Sequence, residues 1–367
     1  MPNRLMKTVL VGTFLFCGTG VFADTIRGTS AFGPSHPTAV YEYPEIDARL
    51  NEFTEGRWRL DDTPSGLVAP IEMSSALRDG VTEFGSLLIP YFPAEYKDSG
   101  LPSELSILGS SNLVVAAAVT EYIATCDDCQ REFVDGGQVF LGTNATPSYN
   151  ILTTKPVRTA EDIKGLRIRT GAPLYARFVD YLGGEATQIP SSELFESLSQ
   201  GVIDGTFSAD HEIVANRLGD IVKYVTVVDE GVFSGAATAT ASNLLWQRMS
   251  EEDRAALARA SQYGVVKGIF GFNEIAEQAK SIEGIEFIEM DETLTAAKNA
   301  FNSEHLQNAA KVLSERGVAD AQSKIDRFSA LIEKWEGLIT PDMGYEEIAE
   351  LRYQEIFSGM DLSKYGF

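Results

Sequence analysis

Residues 159–170 read TAEDIKGLRIRT. The opening Thr-Ala-Glu-Asp is a capping box, whose first and fourth side chains each accept a backbone N–H of the other residue, so it predicts one helical turn. Residues 166–170 then alternate apolar and polar side chains, as a strand with one buried face does. The alternation places Leu166 and Ile168 on one face and both arginines on the other. The stretch therefore predicts a helical turn followed directly by a strand.

The same succession of helices and strands extends in both directions. Residues 25–89 predict the order strand, helix, strand, helix, strand, and a similar order returns after residue 136. This order is typical of α/β proteins, whose mostly parallel sheets carry helices on their faces. The expected strands are 25–32, 57–60, 81–89, 139–141, 150–153, 166–170, 202–204 and 285–288. The expected helices are 44–56, 70–80, 113–124, 173–183, 191–201, 250–279, 292–338 and 345–357.

A weak internal echo suggests two similar lobes. Residues 77–83 and 198–204 share the pattern Leu, two residues, Gly-Val, one residue, acid. Each copy ends a predicted helix and leads towards a strand, with glycine where a helix commonly stops. Chance repetition of a common turn is the alternative explanation.

Length and composition bound the class of protein. The chain has 367 residues, enough for two domains, and its 44% apolar and 23% charged residues exclude both a disordered chain and a polytopic membrane protein. The 53 acidic residues outnumber the 30 basic ones, which gives a formal charge of -23. Such a surface repels nucleic acid and anionic membranes at long range, so we expect neither as a partner.

The N-terminus has the pattern of a secretory signal peptide, which we assign to residues 1–23. Arg4 and Lys7 precede the apolar stretch 9–21, and the small residues of Val-Phe-Ala follow at the cleavage site. The apolar stretch is shorter than the roughly 20 residues that a membrane anchor needs. We therefore expect export to the periplasm and cleavage just before Asp24.

The mature chain would keep two cysteines, Cys126 and Cys129, in the order Cys-Asp-Asp-Cys. In an oxidising compartment this spacing predicts a small disulfide. The alternative, a redox-active C-x-x-C, should follow a strand and open a helix, whereas this pair follows the predicted apolar helix 113–124.

The familiar catalytic motifs are missing from the sequence. It contains no G-x-S-x-G nucleophile elbow, no Gly-Lys-Ser/Thr phosphate loop and no G-x-G-x-x-G fingerprint. His211-Glu212 begins like the zinc motif H-E-x-x-H, but Ala215 stands at the second histidine position and removes a ligand. An enzyme that works through paired carboxylates stays open, because the acids are too many to test.

Arg169 carries the functional signal of the residues alone. It lies at the carboxyl end of its predicted strand, where open α/β sheets bind their ligands. Its guanidinium could hold a carboxylate through two parallel hydrogen bonds, which a lysine could not reproduce. A structural ion pair with one of the many acids is the alternative, and composition alone favours that alternative.

Around this strand the chain resembles the TRAP-transporter solute-binding proteins of the DctP type. Residues 155–157 (KPV) followed by 161–169 (EDIKGLRIR) resemble the family's lysine-proline element and its strand signature. Further elements follow in the family's order at LGGEA (182–186), ELFESLSQGVIDG (193–205), Asn243, Trp246 and MSEED (249–253).

The resemblance implies an α/β, two-lobed, periplasmic-binding-protein-like fold. It implies a hinge between the lobes and a long helix, here residues 250–279, that crosses both. The expected bounds are 24–146 with 235–274 for lobe I, 147–234 with 275–335 for lobe II, and 336–367 for a C-terminal helical segment.

The resemblance also implies a periplasmic receptor rather than an enzyme, with no cofactor. Such a receptor binds a small organic acid between its lobes and delivers it to the membrane subunits of a TRAP transporter. Arg169 falls on the family's carboxylate-binding arginine. Two other functions stay open, namely a periplasmic enzyme acting on an organic acid and a sensory receptor built on the same scaffold.

Departures from the family pattern bear on the ligand. Tyr149 and Asn150 stand where many members carry another arginine, and Phe207, Ser208 and Asp210 stand where many carry Asn or a Trp-Asp pair. The resemblance implies that these positions contact the rest of the ligand. A single arginine favours a monocarboxylate, or a carboxylate with a neutral or zwitterionic tail, over a dicarboxylate.

Further residues are candidates for the cleft. Tyr91, Phe207 and Phe233 could supply apolar walls or stacking surfaces, with core packing as the alternative. Asp210 and Glu230 could balance a cationic group of the ligand or hold a calcium ion with it, with solvated surface acids as the alternative.

Overall fold

The structure of the protein is a computed structural model, and it describes residues 23–65 and 67–367. The predicted signal peptide, apart from Ala23, lies outside these residues. No helix within the described ranges has the length and apolar character that a bilayer crossing requires.

Strands and helices alternate along the chain, as the sequence predicts. The strands are β1 (Asp24–Thr29), β2 (Trp58–Asp62), β3 (Phe84–Leu88), β4 (Gln138–Gly142), β5 (Asn150–Thr153), β6 (Arg167–Thr170), β7 (Glu185–Gln188), β8 (Gly205–Ser208), β9 (Tyr224–Val227), β10 (Ala236–Ser242) and β11 (Glu286–Glu289). The α-helices are α1 (Tyr43–Phe53), α2 (Met73–Arg78), α3 (Leu101–Glu104), α4 (Asn112–Ala124), α5 (Asp127–Asp135), α6 (Pro173–Tyr181), α7 (Leu194–Ser199), α8 (Glu212–Ala215), α9 (Asn243–Arg248), α10 (Glu251–Ala279), α11 (Glu292–Glu315), α12 (Ala321–Leu338) and α13 (Tyr345–Arg352).

Lobe I is built on a sheet with the strand order β2-β1-β3-β10-β4. β1 runs parallel to β2 and β3, whereas β10 lies between β3 and β4 and is antiparallel to both. Every residue of β3, β4 and β10 is buried. The helices α2, α5 and α10 pack against these strands, which explains why the strands are buried on both faces.

Lobe II is built on a second sheet with the order β11-β9-β5-β8-β6-β7. β6 is parallel to β7 and β8, and β9 is parallel to β11, whereas β5 runs antiparallel to β8 and β9. Helix α6 packs on β6 and β7. The predicted two-lobed α/β fold is therefore confirmed.

The chain crosses between the lobes along several segments. Residues 143–149 lead from β4 to β5, and residues 228–235 lead back from β9 to β10. Helix α10 has 29 residues, a length of about 44 Å, and contacts α1 of lobe I, α13 near the C-terminus and α8 of lobe II. A side chain at Gly264 of α10 would collide with Ile46, so this glycine permits the close approach of α1.

Two predicted strands begin later than expected, for the same reason in each lobe. The strands expected from residues 81 and 202 are β3 and β8, which begin at residues 84 and 205. The backbone N–H groups of Val81 and Val202 instead bond back to carbonyls of the preceding helix, each over 2.9 Å. The residues that the sequence predicts as the start of each strand therefore close the end of the preceding helix instead.

The helical region predicted over residues 292–338 consists of two helices, α11 and α12. Between them Gly317 and Asp320 adopt positive φ angles of 92° and 51°. A right-handed helix cannot continue through these conformations.

The capping box at Thr159 is confirmed, with both reciprocal bonds present at the turn Ala160–Ile163.

The two cysteines form a disulfide in the structure. They lie between α4 and α5, and the Cys126 sulfur accepts the backbone N–H of Cys129 at the start of α5. The pair follows a helix, as predicted, and it also opens a second helix, α5, that the sequence analysis did not predict. The element before the pair is thus a helix rather than the strand that a redox-active C-x-x-C requires.

Candidate ligand-binding site

A cleft between the two lobes is lined by side chains from both lobes and from α10. It holds about 460 Å³ of space that no protein atom fills, part of it open to solvent. Lobe I contributes Phe32, His36, Thr38, Leu88, Tyr91, Asn144, Ala236 and Thr238. Lobe II and the crossing segments contribute Thr146, Tyr149, Arg169, Gly171, Ser191, His211, Glu212 and Phe233, and α10 contributes Phe272.

Arg169, in β6, is the basic residue of the lobe II wall and is only 2% exposed. Its Nε donates to the Ile189 carbonyl over 2.7 Å, and its Nη1 donates to the Ser208 hydroxyl over 3.2 Å. The Ser208 hydroxyl is itself bonded to the Thr206 hydroxyl at 2.7 Å. These neutral partners fix the direction of the guanidinium without neutralising its charge.

Arg169 has no ion-pair partner within 4 Å among the described residues, and Arg167 on the same strand shows the contrast. Arg167 is bonded to Asp204 over 2.9 Å and is partly exposed. The structural ion pair considered above thus applies to Arg167. A buried charge without a counter-charge is costly, so an anion that entered the cleft would stabilise the Arg169 guanidinium.

Two aromatic residues, Tyr149 and Phe233, line the cleft together with Arg169. Tyr149 stacks on Tyr175 with ring centroids 4.5 Å apart, and its ring is nearly parallel to that of Phe233 at 6.2 Å. Burial raises the pKa of Tyr149, and the nearby Arg169 opposes that rise. The phenol therefore stays protonated at neutral pH and can donate a hydrogen bond.

The lobe I wall combines an aromatic face with hydroxyl groups. His36 stacks on Phe32 with ring centroids 3.9 Å apart. The buried hydroxyl of Thr38 has no hydrogen-bond partner among the described residues, whereas the Thr238 hydroxyl lies beside the Glu42 carboxyl group. Because a buried polar group without a partner costs free energy, the Thr38 hydroxyl is available to a polar atom of a ligand.

Two histidines from different lobes meet against α10. The rings of His36 and His211 lie 6.0 Å apart, and each makes an edge contact with Phe272. Burial, reinforced by His211, lowers the pKa of His36, and burial lowers the pKa of His211 to about 3. Both rings are therefore neutral near pH 7 and add no positive charge to the cleft.

Glu212, the first residue of α8, is the carboxyl group of the cleft and is 5% exposed. It accepts a hydrogen bond from the Asn216 side chain, and its Oε1 lies 3.9 Å from His211 Nε2. Burial raises the pKa of Glu212 to about 7, against the opposing influence of Arg169. The cleft thus contains one guanidinium and one carboxyl group that titrates near neutrality.

The structure brings four of the predicted site residues together in the cleft, namely Arg169, Tyr149, Tyr91 and Phe233. Phe207 lies behind them in the core, where its ring contacts Tyr149, Tyr175 and Phe178. Ser208 also lies behind the wall, where it supports Arg169.

Asn150 and Asp210 do not line this cleft. The Asn150 amide donates to Asp210 over 2.8 Å, and its oxygen accepts the backbone N–H of Val228 and Asp229. Both side chains instead line a separate surface depression beside α10. The hydrogen bonds of these two side chains connect β5 to the residues after β8 and after β9. The sequence pattern does not distinguish this structural role from contact with a ligand.

The two acids that were candidates for a cation have different partners. Glu230 contacts Lys298 and Asn302 on α11, whereas Asp210 contacts Asn150. Within the described ranges, no group of three or more His, Cys, Asp or Glu side chains is placed to hold a metal ion.

The sequence did not predict several of the residues that line the cleft. His211 and Glu212 stand out in the sequence only as an incomplete zinc motif. His36, Thr38, Asn144 and Thr238 are scattered over the first 240 residues, and nothing in their spacing relates them. The tertiary structure of lobe I brings these four residues to one wall of the cleft.

Two lobes, a crossing helix and a cleft with a buried arginine define the class of two-lobed, periplasmic-binding-protein-like solute receptors. The model of the family "bacterial extracellular solute-binding protein, family 7" (DctP) matches residues 33–311, which is most of the chain. The chain therefore belongs to this family, and its resemblance to TRAP-transporter solute-binding proteins is confirmed.

A curated relative, a solute-binding protein of Chromohalobacter salexigens, is 28% identical over 124 residues. The match covers 34% of this chain and 36% of the relative. A second relative, from Roseobacter denitrificans, is 27% identical over 158 residues, which are 41% of this chain and 48% of the relative. The chain thus spans about a third to a half of the length of these relatives.

Solved structures resemble the whole fold. A TRAP periplasmic solute-binding protein from Bordetella bronchiseptica, with bound mandelate, has a TM-score of 0.74 at 22% identity. The match covers 85% of this chain and 99% of that chain. A TRAP solute-binding protein from Rhodoferax ferrireducens, in complex with benzoate, has a TM-score of 0.75 at 16% identity, over 86% of this chain and 99% of that chain.

Proposed function

We propose that this protein is a periplasmic receptor that closes on a small monocarboxylate and delivers it to the membrane subunits of a TRAP transporter. The observation that carries the proposal is the buried Arg169 guanidinium, held by neutral partners at the cleft and without an ion pair among the described residues. A ligand carboxylate would supply the missing counter-charge, and the low dielectric of a closed cleft would strengthen the pair.

The cleft favours one carboxylate over two. Arg169 is the lining residue that carries a positive charge near pH 7, because both lining histidines are neutral there. A second ligand carboxylate would meet Glu212, which repels it whenever Glu212 is ionised. The walls formed by Phe32, Tyr149 and Phe233 favour a flat, apolar body.

The fold relatives add support for this ligand class. The two structures compared above hold mandelate and benzoate, which are monocarboxylates with a ring. Their likeness to this chain is one of fold, so the ligand class here rests on the contents of the cleft.

We also propose that residues 1–23 direct export and are then removed. N-terminal sequencing of the protein purified from periplasm should begin at Asp24. Recovery of the full-length chain from that compartment would contradict the cleavage site.

A thermal-shift screen tests the receptor function. The protein is refolded to remove carried-over ligand and is screened with monocarboxylates, dicarboxylates, sulfonates and sugars. A ligand at 100 times its dissociation constant stabilises by about 2.7 kcal/mol, which shifts the midpoint by several degrees. We expect shifts with monocarboxylates, and we expect analysis of the ligand after release to return it unchanged. Stabilisation by sugars alone, or chemical conversion of the ligand, would overturn the proposal.

A further inference from the structure

Glu212 is a buried acid in the cleft whose hydrogen-bonding capacity is largely unused. A carboxylate can accept several hydrogen bonds. Here Asn216 donates one, and the described residues supply no second donor, because His211 Nε2 lies 3.9 Å away and is beyond hydrogen-bond distance. Glu212 lines the cleft rather than the protein core. The unused acceptor therefore faces the place where the ligand binds.

Glu212 and Arg169 carry groups of opposite charge, a carboxyl group and a guanidinium, on the same wall of the cleft. Arg169 comes from β6 and Glu212 from α8, both in lobe II, and both line the cleft. They lie close enough that Arg169 opposes the burial effect on the pKa of Glu212, but they do not form an ion pair within 4 Å. A ligand whose carboxylate binds Arg169 therefore shares the cleft with the Glu212 carboxyl group.

We propose that Glu212 is a second recognition group of this cleft, which selects carboxylates that bear a hydrogen-bond donor, O–H or N–H, beside the carboxylate. This inference rests on the proposed receptor function and names its ligand class more narrowly. A donor on the ligand would satisfy the free acceptor of Glu212. An analogue without the donor would leave the buried acceptor unsatisfied, which costs affinity.

The surroundings of Glu212 determine how its charge depends on pH. Arg169 on β6 and Tyr149 in the crossing segment interact with it electrostatically, and His211 precedes it in the chain. From lobe I, His36 approaches His211, and α10 presents the uncharged Phe272. Because both histidines have lowered pKa values, Arg169 is the positive charge that stabilises ionised Glu212 near pH 7.

The test compares three ligands that share one ring and one carboxylate, namely phenylacetate, mandelate and phenylglycine. They place hydrogen, hydroxyl and ammonium, respectively, on the carbon beside the carboxylate. A second trio with a smaller body, propionate, lactate and alanine, is measured in parallel by calorimetry. We expect the better of the two donor-bearing members to bind at least about tenfold more tightly than the member without a donor. The hydroxyl and ammonium arms show which donor is preferred.

Variants assign the effect to Glu212. In Glu212→Gln the preference for the donor-bearing member should fall by about tenfold, while binding of the member without a donor stays within a few-fold. Glu230→Gln is the matched control, since Glu230 is also buried in lobe II with its pKa raised to about 7 by burial but does not line the cleft. This control should keep the wild-type preference.

A pH series gives a readout that a merely structural residue would not move. Glu212 ionises as the pH rises through about 7, so binding of the ammonium ligand should strengthen from about pH 6 to about pH 8. Binding of the ligand without a donor should weaken over the same range, because two anions then share the cleft. Both trends should disappear in Glu212→Gln.

The outcomes separate this inference from the proposed function. Equal wild-type affinity for all members of a trio, with binding abolished in Arg169→Ala, would overturn the role of Glu212 and leave the receptor function standing. Failure of every member of both trios to bind would overturn the small-monocarboxylate function, and this inference with it. The wild-type comparison alone is decisive if Glu212→Gln does not fold.

Discussion

Both lobes contain the same corner, in which a helix ends at a glycine, a valine lies half exposed and an acid binds an arginine on the neighbouring strand. In lobe I the Glu83 carboxylate accepts the backbone N–H of Arg27 over 3.0 Å, and the Glu83 N–H donates to the Arg27 carbonyl over 2.8 Å. In lobe II Asp204 and Arg167 repeat both bonds at 3.0 and 2.8 Å. The internal echo is therefore a repeated structural unit.

The lobes differ two residues further along the strand. Counted from the shared arginine, this position is Thr29 in lobe I and Arg169 in lobe II, and the pairing of each strand with its neighbour supports the equivalence. The Thr29 hydroxyl bonds to Thr63 within its own lobe, whereas Arg169 lies in the cleft. The repeated corner builds both lobes, and one unrepeated side chain gives lobe II the guanidinium that we propose binds the ligand carboxylate.

The largest effect that the comparison predicts is loss of binding in Arg169→Ala. Removing one partner of a buried, hydrogen-bonded charge pair costs about 3 kcal/mol or more, which is over a hundredfold in dissociation constant. Calorimetry with the best monocarboxylate measures it. Arg167→Ala and Arg27→Ala are the controls, because their side chains pair with acids outside the cleft. A comparable loss in Arg167→Ala would show that strand stability, not the guanidinium, governs affinity.

The second prediction concerns the two corner acids. Glu83 has a side chain 7% exposed between Arg27 and Arg248, whereas the side chain of Asp204 is 32% exposed. We expect Glu83→Ala to lower the free energy of unfolding by about 2 kcal/mol and Asp204→Ala by about 1 kcal/mol, because the more buried partners lose more. Urea denaturation at neutral pH measures both. Equal losses of unfolding free energy in the two variants would mean that the burial of the acid does not determine how much it stabilises its lobe.

Acidic pH should remove the contribution that Glu83 makes to the free energy of unfolding. Burial raises its pKa, but the Arg27 N–H and Arg248 outweigh this effect, so the pKa of Glu83 is lowered overall. Its stabilisation is thus present above the unfolded-state pKa and is lost as the pH falls through the folded-state pKa. The difference between wild type and Glu83→Ala should shrink in acid, and a constant difference would contradict the assignment.

The third prediction compares the buried acids of the two lobes. Burial raises the pKa of both Glu42 in lobe I and Glu212 in lobe II to about 7, but Glu42 bonds to Asn144 and does not line the cleft. A folded-state pKa raised above the unfolded value lowers stability as the pH rises between the two values. We expect Glu42→Gln to raise the melting temperature by a few degrees at about pH 8 and little at about pH 5, with ligand affinity unchanged.

The smallest expected effect is that of Gly171→Ala. An added methyl group would lie 3.3 Å from the Tyr149 hydroxyl and 3.5 Å from Arg169 Nη1, which crowds the guanidinium without a severe clash. We expect a few-fold loss of affinity with little change in melting temperature. Gly33→Ala in lobe I is the control, because its methyl group would meet nothing within 4 Å. Equal effects of the two substitutions would contradict a specific role for Gly171.

Much of the fold could be predicted because its signals are local. The capping box at Thr159, the strand ending near Arg169 and the helix opening at Ser250 each depend on residues a few positions apart. The predicted strand starts at residues 81 and 202 were wrong, since a valine after a helix end looks the same whether it extends a strand or closes the helix.

The site was less predictable. Arg169, Tyr149, Tyr91 and Phe233 reach the cleft, whereas Asn150, Phe207, Ser208 and Asp210 lie behind it or beside it. A polar or aromatic residue near the end of a strand has the same sequence signature whether it faces the ligand or supports a neighbour. Which of the two it does depends on residues that are distant in the chain.

The sequence by itself determined the family, the α/β class and the long crossing helix, and it pointed to the arginine that we propose binds the ligand, because periodicity, capping and a family signature depend on neighbouring residues. Only the tertiary structure decided that Arg169 lacks a counter-charge among the described residues, that Glu212 shares its cleft, and that His36, Thr38 and Thr238 form the opposite wall. Those properties arise when two lobes, built from separate stretches of chain, pack face to face and exclude water from charges that the linear sequence keeps apart.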